Sequence, residues 1–408
     1  MSTKKTLYPT FLNKKIDRFS QRLEREWRGR HIMRGRIPDK NAIQLTSNDY
    51  LSIANHPEIL EAQSEMLNSE ENCLLMSAIF QHGNNPQIRF EQRMAEFLDA
   101  EEIVLCQSGY NANTGLIQSI IEDTKIPVYI DMFAHMSLWD GARFSDVPIH
   151  AFRHNNVQSM TSLILQYGPG IILVDSIYST DGSVCPLKVL VEAAYALDCI
   201  IIVDESHSLG THGPSGKGIV VELGLVDKVM FRTASLAKAF AGRAGLITCP
   251  KGFADYFKFT AKPSIFSSAL LPHEIAGLDK TLDLVINGDG LRKRLHYNAD
   301  YLRKGLSRNG YNVSNSQSQI IALESGTEWQ TIILRDALEK HSVFGSVFCA
   351  PATAKNRAMI RFSVNASLSK MQLKHIERVC QNIVGEVALS SWKSTNRTRS
   401  SAKCAEMS

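Results

Sequence analysis

The sequence predicts an α/β protein built on a mostly parallel central sheet, with a smaller α+β lobe toward the C-terminus. Three observations carry this. Apolar runs that end in polar residues recur, as GIILVDS at 170–176, CIIIVDESHS at 199–208 and MFRTASLAKAF at 230–240. Such continuous runs are how strands buried on both faces of a parallel sheet read. Helical patterns alternate with them, as βαβ units require. From about Leu291 the texture changes: strand-like runs at Ser318–Leu323, Val343–Cys349 and Met359–Val364 lie among helical patterns at 291–306, 328–339 and 369–387.

Taken in order, residues 8–30 read as an amphipathic helix, with Phe11, Ile16, Phe19, Leu23 and Trp27 near one stripe and basic residues on the other faces. This pattern suits a helix packed on its own chain or on a partner subunit, and less well a membrane-surface helix. Leu45–Ala54 reads as strand then turn, 57–67 as helix, CLLMSA at 73–78 as an apolar segment, and QHGNNP at 81–86 as a loop. A helix at 89–98 leads to a strand at 103–107, the turn Ser108–Gly109–Tyr110 and a helix to Ile121. Further strands are expected at 128–131, 170–175, 199–204, 229–233 and 244–248, with a helix at 187–197. The expected organisation is an N-terminal helical segment (1–45), a large domain (46–288), a small domain (289–388) and a disordered tail (389–408) rich in Ser, Thr, Lys and Arg.

Composition narrows the function classes. Hydrophobic residues make up 44% and charged residues 21% of 408 positions, as in ordinary soluble proteins. A formal charge of +4, partly in the tails, gives no nucleic-acid reading. The basic N-terminus has no apolar core, so it is not read as a signal peptide, and no run approaches a membrane span. Eight cysteines (73, 106, 185, 199, 249, 349, 380, 404) form no CxxC pair, and several sit in apolar runs. Reduced thiols in a cytoplasmic enzyme are the reading.

The chemistry gathers at the ends of the strands. Asp204 closes one apolar run and Lys238 lies just beyond another, which delivers both to the edge where open α/β sheets bind ligands. An Asp and a Lys at one edge suggest pyridoxal 5′-phosphate: the lysine would hold the aldehyde as a Schiff base, the aspartate the pyridinium proton. On spacing alone a solvated lysine reads equally well, and Asp204 with His207 also suits a helix cap or a metal pair. Ser108–Gly109–Tyr110, between strand and helix, would offer backbone N–H groups to a phosphate, or be a tight turn. Ser235 could add a hydroxyl there. His135 could stack on a pyridine ring or be structural. Arg361, in MIRFSV, suits bidentate carboxylate recognition or an edge strand.

Read together, SGYNAN, FAHMSLWDGAR, VDSIYSTDG, VDESHSLGTHGPSGKG, TASLAKAF, IFSSALLP and IRFSVNAS resemble, in that order, the α-oxoamine synthases, fold-type I pyridoxal-phosphate enzymes that condense an amino acid with an acyl-CoA. The likeness spans about residues 40–388. SNDYLSIANHP, GPGIILVDSIYST and VFGSVFCAPATAKN look like the α-hydroxyketone quorum-sensing autoinducer synthases of that family. The resemblance implies that Lys238 binds the cofactor and Asp204 meets its ring nitrogen. It implies that His207 and Ser179 meet the phenolic oxygen, His135 the ring face, and Gly109, Tyr110 and Ser235 the phosphate. Ser268 would reach the phosphate of the neighbouring subunit, so that a homodimer shares its sites, and Arg361 would grip the amino-acid carboxylate. The implied reaction joins a medium-chain acyl-CoA to 2-aminobutyrate or S-adenosylmethionine; the alternative is a synthase using glycine, alanine or serine. CLLMSAIF stands where members with small substrates carry a GSR-type turn, Asp175 is the acidic residue before the SxxS segment, and TASLA precedes the lysine. These departures bear on the substrate and leave the cofactor reading intact.

Overall fold

The computed structural model describes residues 8–70 and 75–395. Eleven strands are named: β1 (Ile43–Leu45), β2 (Glu102–Cys106), β3 (Val128–Asp131), β4 (Ile149–Phe152), β5 (Ile171–Asp175), β6 (Ile200–Asp204), β7 (Phe231–Ser235), β8 (Gly245–Cys249), β9 (Ile320–Gly326), β10 (Val343–Phe348) and β11 (Ala358–Ser363). Seven form one sheet in the order β2-β8-β7-β6-β5-β3-β4. Its pairings are parallel except on either side of β8. Every residue of β3 and β5 is buried, as expected for strands covered on both faces by helices. One core cluster lies on each face of this sheet.

The small lobe has a four-stranded sheet, β1-β10-β11-β9. Its first strand comes from far upstream: β1 pairs parallel with β10 through Ile43–Val343 and Leu45–Gly345. Residues 46–50 therefore carry the chain out of the small sheet. The Ala366 N–H donates to the Tyr50 carbonyl at 2.8 Å, which fixes that crossing.

The structure differs from the sequence reading at several places. The first helix is shorter, Thr10–Gln21, followed by a π-helical turn at Arg22–Glu26. Phe11, Ile16 and Phe19 are exposed, and only Trp27 beyond them is buried, its Nε1 donating to Glu328 at 2.7 Å. The edge strand β4 and the helices Val157–Tyr167, Phe253–Thr260 and Pro272–Ile286 were not anticipated. Residues 390–395 are not a free tail: Trp392 is buried and belongs to the small-lobe core. Cys73 and Leu74 of the apolar 73–78 segment, residues 396–408 and Cys404 lie outside the described residues.

Candidate active site

Adjacent strands β3, β5 and β6 all end in aspartate, and β5 and β6 set Asp175 beside Asp204 in register. Three carboxylates on one sheet edge repel unless each is answered differently. Asp131 accepts from His154 Nδ1 at 2.9 Å and from the backbone N–H groups of Phe133 and Asn155 at 2.8 Å. Asp175 accepts the His135 backbone N–H at 2.9 Å. Burial, then the charge of Asp204, pushes its carboxyl well above the usual range, with Asp131 adding and the His135 N–H opposing.

Asp204 is fixed by two neutral donors. Its Oδ1 accepts the Ser206 N–H at 2.8 Å and its Oδ2 accepts Asn113 Nδ2 at 2.6 Å. Asn113 lies on the helix Gly109–Ile121, donates also to Ser137 Oγ at 2.8 Å, and accepts from Thr233 Oγ1 at 2.5 Å. The carboxylate has no ion-pair partner among the described residues.

Lys238 is half-buried, and its side-chain amine has neither a hydrogen bond nor an ion pair among the described residues. Burial lowers its pKa, Arg361 lowers it further, and Asp204 opposes them. His207 is buried, and its Nδ1 lies 2.7 Å from the Tyr50 hydroxyl. Burial, then Lys238, Arg361 and His135, hold its pKa well below the ordinary histidine value. His135 caps the helix Met136–Ala142, with Nδ1 2.7 Å from Ser137 Oγ. Burial lowers its pKa, with Lys238 adding and Asp204 and Asp140 opposing.

Ser108 caps the helix that starts at Gly109, accepting the Asn111 N–H at 3.1 Å. Glycine is required at 109 by packing: a Cβ there would come within 2.6 Å of the Ser235 Cβ. That contact presses the β2 turn against the end of β7. Ser235 donates its N–H to Ser206 Oγ at 2.7 Å, and the Tyr110 hydroxyl bonds Asp140. Arg361, from β11 in the small lobe, is buried and donates to the Ser179 carbonyl and to Asn48 Oδ1, both at 2.8 Å. Ser179 thus engages Arg361 through its backbone. Arg361 has no carboxylate partner among the described residues, and its Nε is an unsatisfied buried donor. Ser268 is exposed, forms an isolated bridge with Ser77, and accepts Gln107 Nε2 at 2.8 Å through its carbonyl.

The fold thus brings Lys238, Asp204, His207, His135 and Arg361 into one electrostatic neighbourhood, with Ser108–Tyr110 and Ser235 packed beside it. Pyridoxal phosphate fits these residues. An uncommitted amine suits an aldehyde, a carboxylate held by neutral donors suits a pyridinium, and a helix N-terminus suits a phosphate. Among the described residues no group of His, Cys, Asp and Glu could hold a metal ion. Sequence reasoning missed Asn48, Tyr50, Asn113 and Gln319. The signal for Asn113 was an asparagine on a helix face that is otherwise apolar and buried.

A family model for class I and II aminotransferases matches residues 40–380. A CAI-1 autoinducer synthase of Vibrio campbellii is 44% identical over 374 residues, covering 91% of this chain and 95% of that protein. An 8-amino-7-oxononanoate synthase of Coprothermobacter proteolyticus is 31% identical over 341 residues, covering 83% and 86%. Among solved structures, a serine palmitoyltransferase from S. paucimobilis with bound PLP superposes with a TM-score of 0.86 at 22% identity, covering 93% of this chain and 100% of that one. That last likeness is one of fold.

Proposed function

We propose a C-acyl transfer reaction for this chain, which belongs to the class I and II aminotransferase family and, within it, to the α-oxoamine synthases. Its cofactor is pyridoxal 5′-phosphate, and its reaction joins a medium-chain acyl-CoA to an amino donor, giving the α-aminoketone precursor of an α-hydroxyketone autoinducer. One observation carries the reading: Lys238, Asp204 and Arg361 converge with no ion-pair partner of their own among the described residues. Buried charges are ordinarily paired, so these are charges kept for a ligand.

When bound, pyridoxal phosphate supplies the electron sink for the donor's α-carbon. Asp204 would hold the proton on the ring nitrogen, and Asn113 and the Ser206 N–H hold Asp204 in place. Arg361 grips the donor carboxylate and so orients the α-carbon. Lys238, its pKa lowered by burial and by Arg361, has the free amine that takes the α-proton and later returns it. The α-carbon then bonds to the thioester carbonyl carbon as the C–S bond breaks and CoA leaves as the thiolate. The donor carboxylate departs as CO2, and the proton that Lys238 holds goes back to the α-carbon, which gives the α-aminoketone. His207 would hydrogen-bond the cofactor's phenolic oxygen, His135 would cover its ring, and Ser108–Tyr110 and Ser235 would hold its phosphate.

Ser268 is the residue we assign to the neighbouring subunit's site, in a homodimer. Its exposure, beside the exposed side chains of Leu75, Phe80 and Phe266, supports that assignment. No helix of the described residues is long and apolar enough to cross a membrane, and an acyl-CoA substrate supports a reaction in the cytoplasm. The donor we assign is 2-aminobutyrate or S-adenosylmethionine. Synthesis from glycine, alanine or serine is the lesser reading, favoured by the 8-amino-7-oxononanoate synthase relatives. Mass spectrometry of products from a panel of acyl-CoAs and donors separates the two. An aminoketone from medium-chain acyl-CoA with either assigned donor is expected. Turnover with only glycine, alanine or serine, or equal rates with acetyl-CoA, overturns the reading.

A further inference from the structure

A line of polar contacts crosses from the small lobe to the large one. Arg361 Nη2 donates to Asn48 Oδ1 at 2.8 Å; the Tyr50 hydroxyl lies 3.3 Å from the same Asn48 oxygen and 2.7 Å from His207 Nδ1. Asn48 and Tyr50 stand on the segment leaving β1, so the line bridges the two lobes through residues close in sequence. The Tyr50 side chain is fully buried. Its backbone is held by the Ala366 N–H, which leaves the hydroxyl as the variable part.

A neutral imidazole carries one proton, and its position decides which nitrogen donates. The Tyr50 hydroxyl also has one proton and two acceptors within reach. Asn48 Oδ1 is already served by Arg361 and is the more distant, whereas His207 Nδ1 is close and has no other partner among the described residues. Burial raises the Tyr50 pKa to about 12, with Arg361 and a hydrogen bond from Gln319 opposing, so the hydroxyl keeps its proton over the working range. The groups acting on His207 are Lys238, Arg361 and His135, and with burial they all disfavour imidazolium. Its backbone carbonyl is clamped by Gln319 Nε2 at 2.7 Å and Thr211 Oγ1 at 3.0 Å, which fixes the residue from the other side.

We propose that Tyr50 is a positioning residue that donates its hydroxyl proton to His207 Nδ1, fixes the Nε2–H tautomer, and thereby presents His207 as a hydrogen-bond donor to the site. The inference deepens the proposed function, since it rests on His207 facing the cofactor's phenolic oxygen. The 2.7 Å Tyr50–His207 contact, shorter than the 3.3 Å one to Asn48, favours this tautomer; the cofactor reading sets what the tautomer is for. A supporting hydrogen bond behind an imidazole of this kind orients a ring that would otherwise sample two tautomers.

The test uses holoenzyme labelled with ¹⁵N-histidine, with the His207 signals assigned by comparison with His207→Gln. Nδ1 of His207 should show the shift of an unprotonated, hydrogen-bonded nitrogen and Nε2 that of a protonated one, unchanged across the neutral range. In Tyr50→Phe, which keeps the ring and its packing, the Nδ1 shift should move to that of a free nitrogen or to a tautomer average. The pH midpoint of the bound cofactor's visible band should move as well. The kcat should fall about tenfold, the scale of one lost hydrogen bond. A protonated Nδ1 in the wild-type protein overturns the proposal, and that result stands even if Tyr50→Phe fails to fold. Unchanged His207 shifts in a folded Tyr50→Phe protein overturn it equally. Failure of the acyl-transfer reading would appear separately, as absence of product, without changing the His207 tautomer.

Discussion

The two edges of the large sheet are made by the same strands and treat charge in opposite ways. At the amino edge, Asp99, Arg232, Thr248 and Cys249 line a cavity of about 750 Å³. Arg232 there is buried, makes no ion pair among the described residues and has an unpartnered Nη1, but it donates to the Leu98 carbonyl at 2.6 Å and to Thr248 Oγ1 at 3.3 Å, and the charges of two carboxylates, Glu205 and Asp99, favour its charged form. At the carboxyl edge, no carboxylate is among the groups that act on buried Arg361, and Lys238 and Asp204 make no ion pair among the described residues. Open space and unanswered charge are separate properties, and the second is the better marker of chemistry. A charge answered by the protein contributes to folding; one left unanswered costs stability and persists for a ligand.

Substitutions at the two edges should divide activity from stability. Lys238→Ala should abolish product formation in a protein that still folds, measured as CoA release beside a thermal melt. Arg232→Met, at the other edge, leaves the Leu98 carbonyl without its donor and should cost about 1–3 kcal/mol. The kcat per folded molecule should stay within about twofold, as for sites that share no partners. If Arg232→Met removed activity from folded protein, the contrast between the edges would collapse.

Asn113 tests whether the carboxyl edge is held rigid by neutral donors. Asn113→Ala removes a hydrogen bond to a charged acceptor and leaves Thr233 and Ser137 short of a partner. It should destabilise the chain by about 1.5–3 kcal/mol. Cofactor affinity should fall with it, read by fluorescence titration. Stability lost with no change in cofactor affinity would make Asn113 a core residue and nothing more.

These two edges also explain what was legible beforehand. Strands buried on both faces are mostly apolar, so β5 and β6 could be read to within one residue; β7, FRTAS, carries buried Arg232 and Thr233 and was still placed to within two, and with these strands came the positions of Asp204 and Lys238 at the carboxyl edge. β4, on the sheet margin, is half-buried at Ile149 and His150, exposed at Ala151 and buried only at Phe152, so no apolar run marked it. The roles proposed for Ser179 and Ser268 came from family likeness alone, because they depend on contacts that no local pattern encodes, whereas His135 was read from its loop as an imidazole suited to stacking. Tyr50 meets His207 and Asn48 meets Arg361 only through the chain crossing at residues 46–50, which depends on β1 joining a sheet formed mostly by the C-terminal third.

A smaller effect should appear in the pH dependence of stability. His207 is held neutral in the folded chain, whereas the unfolded chain takes up its proton near pH 6.5. Its folded pKa lies below the unfolded one, so acidification below about pH 6.5 favours unfolding by roughly 1.4 kcal/mol per pH unit. His135 and His212 act in the same direction, and Asp175, whose carboxyl is raised, in the opposite one. His207→Gln should therefore flatten the acid limb, closing the gap to wild type by about 2 kcal/mol between pH 6.5 and 5 in urea melts. An unchanged acid limb would mean that His207 is protonated in the folded chain, and its place as a neutral donor would be lost.

The smallest expected effect lies away from both edges and asks whether the small lobe merely carries Arg361 or also tunes it. Ser369 caps the helix Lys370–Asn382: its Oγ accepts the Gln372 N–H at 3.2 Å while Gln372 Oε1 accepts the Ser369 N–H at 2.9 Å. That helix buries Leu373, Ile376, Val379 and Cys380 in the lobe core, beside the sheet that holds β11. Ser369→Ala should cost about 1 kcal/mol, seen as a lower urea midpoint with an unchanged slope. Because Arg361 is fixed by its own bonds to Ser179, Asn48 and Ser363, the KM for the amino donor should not move. A raised KM at full folding would show that Arg361 depends on the rigidity of the whole lobe. The contrast to draw would then be between lobes, with the two strand edges secondary to it.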